Sequence, residues 1–153
     1  MYQKVLVPLD KSELAECALP HVKNLATGGN VGKVILLSVA SFNIPFGPYG
    51  NIGNNFDFVS FCSACKMESQ DYLDRVQSQF TAEGIKAATV VIESANPAQS
   101  INDYAQANDV DLIVMATHGY TGVKKMLMGS VAFKVLHESH VPVLLVRPEQ
   151  ARK

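Results

Sequence analysis

Net charge is almost absent from this chain: 13 Lys and Arg stand against 14 Asp and Glu, a formal balance of −1 over 153 residues. A broad electrostatic footprint for nucleic acid is therefore missing, which disfavours a polyanion-binding role and leaves room only for a local phosphate site. Long apolar runs are absent too. None approaches the roughly 20 residues that span a bilayer, and the opening "MYQKVLVPLD" is too short for a signal peptide and lacks its cleavage pattern. No membrane association is expected, and the cytoplasm is the expected compartment. Cysteine is scarce: Cys17, Cys62 and Cys65 cannot all pair within one chain, and a chain of this size needs no disulfide staples, so reduced thiols are expected. What is abundant is apolar residue, 48% of the chain, which excludes disorder. The length suits one cored domain over residues 1–153 and is too short for two.

The apolar residues are arranged in alternating periods. "YQKVLVP" (residues 2–8) is a short β-branched strand. "SELAECALPHVKNLA" then places Leu14, Ala18, Val22, Leu25 and Ala26 on one helical face, with Ser12 as candidate N-cap. Pro20 should kink that helix or divide it in two. "KVILLSVA" is a nearly unbroken apolar run, as a parallel strand covered on both faces requires. From Ser41 to about Cys62 periodicity is lost in a long Gly, Pro, Asn and aromatic-rich loop, a lid or partner surface in character. Met67, Leu73, Val76 and Phe80 restore a helical stripe that stops at Gly84, and "IKAATVVIE" is a third strand. Asn96 and Pro97 cap and open the next helical segment, "DLIVMAT" is the fourth strand, residues 130–139 form the last helix, and "VPVLLVR" (141–147) is the fifth strand. This alternation predicts an α/β fold: a single domain with a five-stranded parallel sheet and helices on both faces, Rossmann-like in architecture. Ligands in such sheets lie beyond the carboxyl ends of the strands, where strand order reverses.

Of the segments that follow strands, only Ala116 to Ser130 is patterned by glycine. A glycine lets main chain approach a phosphate without a Cβ in the way, and a helix N-terminus offers unpaired N–H groups. Gly119 supplies the first feature; Gly129 and Ser130, leading into "VAFKVLHES", supply the second, with Lys124 and Lys125 in the arc between. The alternative is that Gly119 and Gly122 make a turn, Ser130 is an ordinary N-cap, and the lysines are solvated.

The stretch resembles the nucleotide motif of the universal stress protein family: Gly, two residues, Gly, nine residues, Gly, then Ser or Thr. Here the second glycine is Gly119, the nine residues are Tyr120 to Met128, and Gly129 and Ser130 close the motif. "VLVPLDKSELAECAL", "VILLSV", "NPAQSINDYAQANDVDLIVMATHG" and "SVAFKVLHESHVPVLLVRP" are similar to the same family, so the likeness covers nearly the whole chain except the 41–62 loop. The resemblance implies the adenine nucleotide α-hydrolase-like form of the fold and a pocket for ATP, AMP or ADP. It places Asp10 at the ribose or adenine side with Pro8 and Leu9 beside it, Val39 and Met115 at the base, and Ala116, Gly119, Gly129, Ser130 and Val131 around ribose and phosphates. Two positions depart from the pattern: Ala116 stands at the first glycine, and Tyr120 replaces a basic residue common after the second. The resemblance also implies a homodimer joined through strand 141–147. As an apolar edge without lysine along its middle, that strand invites pairing on physical grounds as well.

Other candidates weigh less. Asp10 can equally cap or charge the start of the first helix. "CSAC" (Cys62 to Cys65) can be a redox pair or half of a zinc site shared between two chains, but it does not open a helix after a strand, and structural thiols are the simpler reading. His118 has no nucleophile or paired carboxylate beside it in sequence, so orientation is favoured over general base catalysis. His21, His137 and His140 have no ligand spacing. The expected function is a nucleotide-responsive dimeric regulator docking an unidentified protein partner, with at most slow, Mg²⁺-assisted ATP hydrolysis because no water-activating acid can be named. The alternatives are a nucleotide-independent interaction module of the same family and, further off, a CxxC-dependent redox or metal protein. An activating enzyme of the wider fold would carry a Gly-rich or His-containing loop where this chain reads "PLDKSE".

Overall fold

Val5, Leu6 and Val7 on strand β1 (Tyr2–Pro8) are all at 0% exposure, which requires cover on both faces and neighbours on both sides. The computed structural model describes residues 1–41, 57–119 and 128–149, and in it β1 is the central strand of five. The others are β2 (Val31–Ala40), β3 (Ala87–Glu93), β4 (Leu112–Ala116) and β5 (Val143–Val146). Every pairing is parallel and the order is β3-β2-β1-β4-β5. The sheet is the one that the alternation predicts. Its strand order reverses between β1 and β4, where Leu6 faces Ile35 on one side and Ile113 on the other.

Strand alternation divides the core in two. Val5, Val7, Val34, Leu36 and Val114 point to one face, where they meet Ala18 and Val22 from the first helical segment and Leu73, Val76 and Phe80 from a long helix. Those covers are α1 (Glu13–Glu16), α2 (Leu19–Thr27) and α3 (Phe58–Ala82). Leu6, Ile35, Leu37, Ile113 and Met115 point to the other face, under Ile101 and Ala105 of α4 (Pro97–Ala107) and Ala132 and Val135 of α5 (Ser130–Glu138).

Local chemistry sets the helix boundaries. Ser12 Oγ accepts from Ala15 N at 3.1 Å and caps α1. Pro20 divides the helix rather than kinking it: it sits in the first turn of α2, where its missing N–H has no intrahelical acceptor to lose. Asn96 Oδ1 accepts from Gln99 N ahead of Pro97. Gly84, at φ +75°, turns the chain away after α3.

Two boundaries differ from expectation. The helix α3 begins at Phe58, not after Cys62, so the CxxC lies inside a helix, and of the expected 41–62 loop residues 42–56 lie outside the described residues. The reason is that no side chain before Ser69 in this helix is buried. Met67, expected on the buried stripe, is 65% exposed, and a solvated helix carries no apolar period. Its start is marked instead by Asp57, whose carboxylate accepts from Ser60 N at 3.2 Å and is held below its ordinary pKa by its bonds to Ser60. Strand β5 is shorter than 141–147 but takes the predicted edge position, with Leu144 exposed. No helix among the described residues is long and apolar enough to cross a membrane.

Tyr72 on α3 donates its hydroxyl to Glu16 Oε1 at 2.9 Å. Burial, then that bond and the Glu16 charge, holds its phenol above the ordinary range. The folded chain thus keeps a proton that the unfolded chain releases near pH 10. The resulting stability is complete below that pH and lost as pH rises towards the folded-state value. Alkaline unfolding followed by circular dichroism should accordingly be steeper for the wild type than for Tyr72→Phe above about pH 10.

Candidate functional site

A cavity of about 420 Å³ opens at the carboxyl ends of β1, β2 and β4, over the point where strand order reverses. Pro8, Leu9 and Asp10 enter it from the end of β1, Val39 from β2, Met115, Ala116 and Gly119 from β4 and the chain beyond it, and Gly129, Ser130 and Val131 from the start of α5. All ten residues singled out in the sequence therefore line one space.

The β1 side is held by a tight turn. Leu9 N donates to Leu37 O at 2.8 Å, extending the ladder past β1. Lys11 then takes φ +68°, and Asp10 Oδ1 accepts from both the amide and the hydroxyl of Ser12. Asp10 thus steadies the turn while lining the cavity, and the helix cap is Ser12 instead.

The β4 side rests on the Thr117 peptide. Its N–H donates to Val146 O of β5 at 2.8 Å, and its carbonyl accepts from Gly129 N at 2.7 Å. The first residue before α5 is thereby fixed to the end of β4, although residues 120–127, which lie outside the described residues, separate them in sequence. Gly129, and not Ser130, is the N-cap; it sits at φ −69° and supplies no side-chain cap. The amides of Ser130, Val131 and Ala132 are those that no carbonyl within the helix can reach, and all three residues line the cavity.

Neither motif glycine is there for a left-handed turn, since the positive-φ glycines of the described residues are Gly29 and Gly84. Space decides both. A Cβ on Gly119 would land on the Asp10 carboxylate, and one on Gly129 would lie 3.2 Å from Thr117 O and 3.6 Å from His118 Cα. The two glycines let the ends of β1, β4 and α5 converge, which the turn reading does not require.

The cavity has two chemical halves. Leu37, Val39, Ile101 and Met115 give an apolar slot on the α4 and α5 side, suited to a flat heterocycle. The other half is made by the glycine main chain, the α5 amides and Asp10. No Lys or Arg lines the cavity among the described residues; Lys124 and Lys125 lie outside them. A phosphate here would meet main-chain N–H groups and a helix dipole. Asp10, the one carboxylate among the described lining residues, is a donor of the kind Mg²⁺ takes together with phosphate oxygens. His118 is 6% exposed, with Nδ1 2.9 Å from Thr117 Oγ1. Sequence reading missed Leu37, Ser41, Pro97, Ile101 and Thr117 as lining residues. Leu37 was within reach, because it shares a strand face with Val39.

The remaining candidates lie elsewhere. Cys17, at the end of α1, is half-buried with its thiol pushed up by burial. Cys62 and Cys65 stand on α3 and do not line the cavity. Partial desolvation, then Glu93 and Cys65, raises the Cys62 thiol, the reverse of the depressed value that a redox CxxC needs. His137 stacks on Phe133 at 5.9 Å between ring centroids on α5.

The model of the universal stress protein family matches residues 1–147. This chain belongs to the universal stress protein family. Universal stress protein MJ0577 of Methanocaldococcus jannaschii is 31% identical over 157 residues, covering 96% of each chain. The solved structure of MJ0577 superposes with a TM-score of 0.78 over 97% of this chain and 98% of its own. Two further structures share the fold at lower identity. A universal stress protein in complex with cAMP has a TM-score of 0.60 at 22% identity, covering 97% of this chain and 98% of its own. An Arabidopsis thaliana family protein with AMP bound has a TM-score of 0.69 at 14% identity, covering 98% of this chain and 94% of its own. Both universal stress proteins carry an adenine nucleotide.

Proposed function

We propose that this universal stress protein binds an adenine nucleotide, with ATP as the leading candidate and AMP or ADP as the shorter alternatives, in the cleft between β1, β4 and α5. The observation that carries this reading is the convergence of Gly119 and Gly129 on Asp10 and Thr117, where a Cβ on Gly119 would collide and one on Gly129 would crowd the Thr117 carbonyl at 3.2 Å, around a helix start with no side-chain cap. The adenine lies in the apolar slot against Val39 and Met115, the ribose near Asp10, and the phosphates at Gly129, Ser130 and Val131. The nucleotide-bound relatives support the ligand class. Mg²⁺, when bound with the triphosphate, neutralises phosphate charge, and Asp10 is the side chain that would hold it. Isothermal titration of the full chain with ATP, AMP and inorganic triphosphate is the test. Saturable heat from ATP at one site per chain, and none from triphosphate alone, is expected; no heat from any nucleotide overturns the reading in favour of a nucleotide-independent interaction module. ATP should be recovered largely intact, because Asp10 Oδ1 already accepts from Ser12 and no second carboxylate lines the cleft among the described residues to activate a water.

The same reading makes the chain a homodimer. β5 is an edge strand with Leu144 at 39% exposure, and Phe133 at 58% and Leu136 at 44% are exposed on α5, the helix that precedes it in the chain. A short apolar edge of this kind is covered most economically by its own copy across a two-fold axis. Leu144→Lys is expected to shift light scattering at micromolar concentration from dimer to monomer. A wild type that is monomeric there refutes the dimer.

A further inference from the structure

The CxxC takes no part in the cleft, and its geometry limits what it can hold. Cys62 and Cys65 are both free and half-exposed, and both lie in α3. Three residues apart on a helix, they share one side, with Cβ atoms about 5–6 Å from each other. A disulfide needs about 3.5–4.5 Å between those atoms, so a regular turn keeps the pair apart. A two-coordinate ion bonded to each sulfur at about 2.3 Å needs sulfurs only about 4.6 Å apart, which side-chain rotation provides on a regular helix.

The surroundings remove the common alternatives. Among the described residues no cluster of three or more His, Cys, Asp or Glu is placed to hold a metal ion, so a complete tetrahedral zinc site or an oxygen-ligated hard cation has no ligand set there. What remains is an ion satisfied by two soft donors, and thiolate pairs favour copper(I) among biological metals. Glu93, at the end of β3, is near enough to Cys62 to bear on its charge, and Lys66 Nζ stands 3.9 Å from Glu93 Oε1. The first turns of α3, up to Glu68, bury no side chain, so small adjustments around an ion leave the core undisturbed.

We propose that Cys62 and Cys65 form a two-thiolate site for a soft, low-coordinate monovalent metal ion, copper(I) being the type case. Each sulfur releases its proton to solvent as the metal–sulfur bond forms; copper stays monovalent and no electron is exchanged. Because both thiols give up protons on binding, protons compete with the metal, and affinity rises with pH.

Anaerobic titration of the full chain with copper(I), against a chromophoric copper(I) chelator, tests the site. One ion per chain and an ultraviolet thiolate-to-copper charge-transfer band are expected. Cys62→Ser and Cys65→Ser, each retaining Cys17, should each weaken binding by more than the roughly 10–100-fold that outer-shell changes cost, with unchanged circular dichroism and unchanged nucleotide heats. Wild-type affinity in either variant, one ion per two chains, or a reduced sample that forms a Cys62–Cys65 disulfide in place of binding each overturns the proposal.

Discussion

Gly129→Val is expected to cut ATP affinity by about 100-fold or more, near 2.7 kcal/mol, while the chain remains folded. The Cβ alone would stand 3.2 Å from Thr117 O, with His118 Cα at 3.6 Å; the two γ-methyls of valine then have main chain on that side. Main chain does not swing aside as a flexible side chain does. The start of α5 must move away from β4, lengthening the 2.7 Å bond from Gly129 N to Thr117 O and carrying the Ser130 and Val131 amides off the position where they meet phosphate. Gly129→Ala, with the Cβ and nothing more, should fall between, at about 10-fold or 1.4 kcal/mol. Titration calorimetry on both variants, beside thermal melts that verify folding, checks the order. Equal heats from valine variant and wild type would remove the cradle from the account.

The largest stability effect is expected at Phe80. Its ring is at 0% exposure in the last turn of α3, packed among Val22, Leu73, Val76 and Ile85 in the same cluster, and Lys23 Nζ lies 5.3 Å from its centroid. Its carbonyl also accepts from Ile85 N at 3.0 Å, so the residue ends the helix as well as filling the core. Phe80→Ala should cost about 3–5 kcal/mol. At roughly 2–4 °C per kcal/mol for a chain of this length, Tm should fall by about 6–20 °C. Urea unfolding with an unchanged slope would show that the native state alone was weakened; a loss below about 1 kcal/mol would mean that the cavity collapses fully.

Sequence sufficed wherever a residue's role was repeated along an element. Val5 to Val7, Val34 to Leu37 and Leu112 to Met115 are runs buried on both faces, and uninterrupted apolar residues of strand length state that directly. The division at Pro20 and the caps at Ser12 and Asn96 were legible because each is a local hydrogen-bonding event. The start of α3 was not, because a stretch that buries no side chain before Ser69 leaves no apolar period to read; Asp57, three residues before Ser60, marked it. The cleft was legible in its glycines, but the reason for Gly119 was not. That reason is the Asp10 carboxylate, 109 residues away in sequence, and only the adjacency of β1 and β4 brings them together. Ser130 as cap failed for a similar cause: the Thr117 carbonyl, rather than a side chain, anchors the entry to α5.

Twenty-five residues of α3 run for about 37 Å, whereas the seven of β3 beside it cover only about 23 Å. The helix is rooted in the core from Ser69 onwards, and its earlier turns bury no side chain and carry solvent-exposed ion pairs such as Lys11 with Glu68, each worth about 0–1 kcal/mol. A free peptide of that size would not stay coiled in water. Its stability is lent by the rooted half, so a disturbance confined to those first turns reaches no buried side chain.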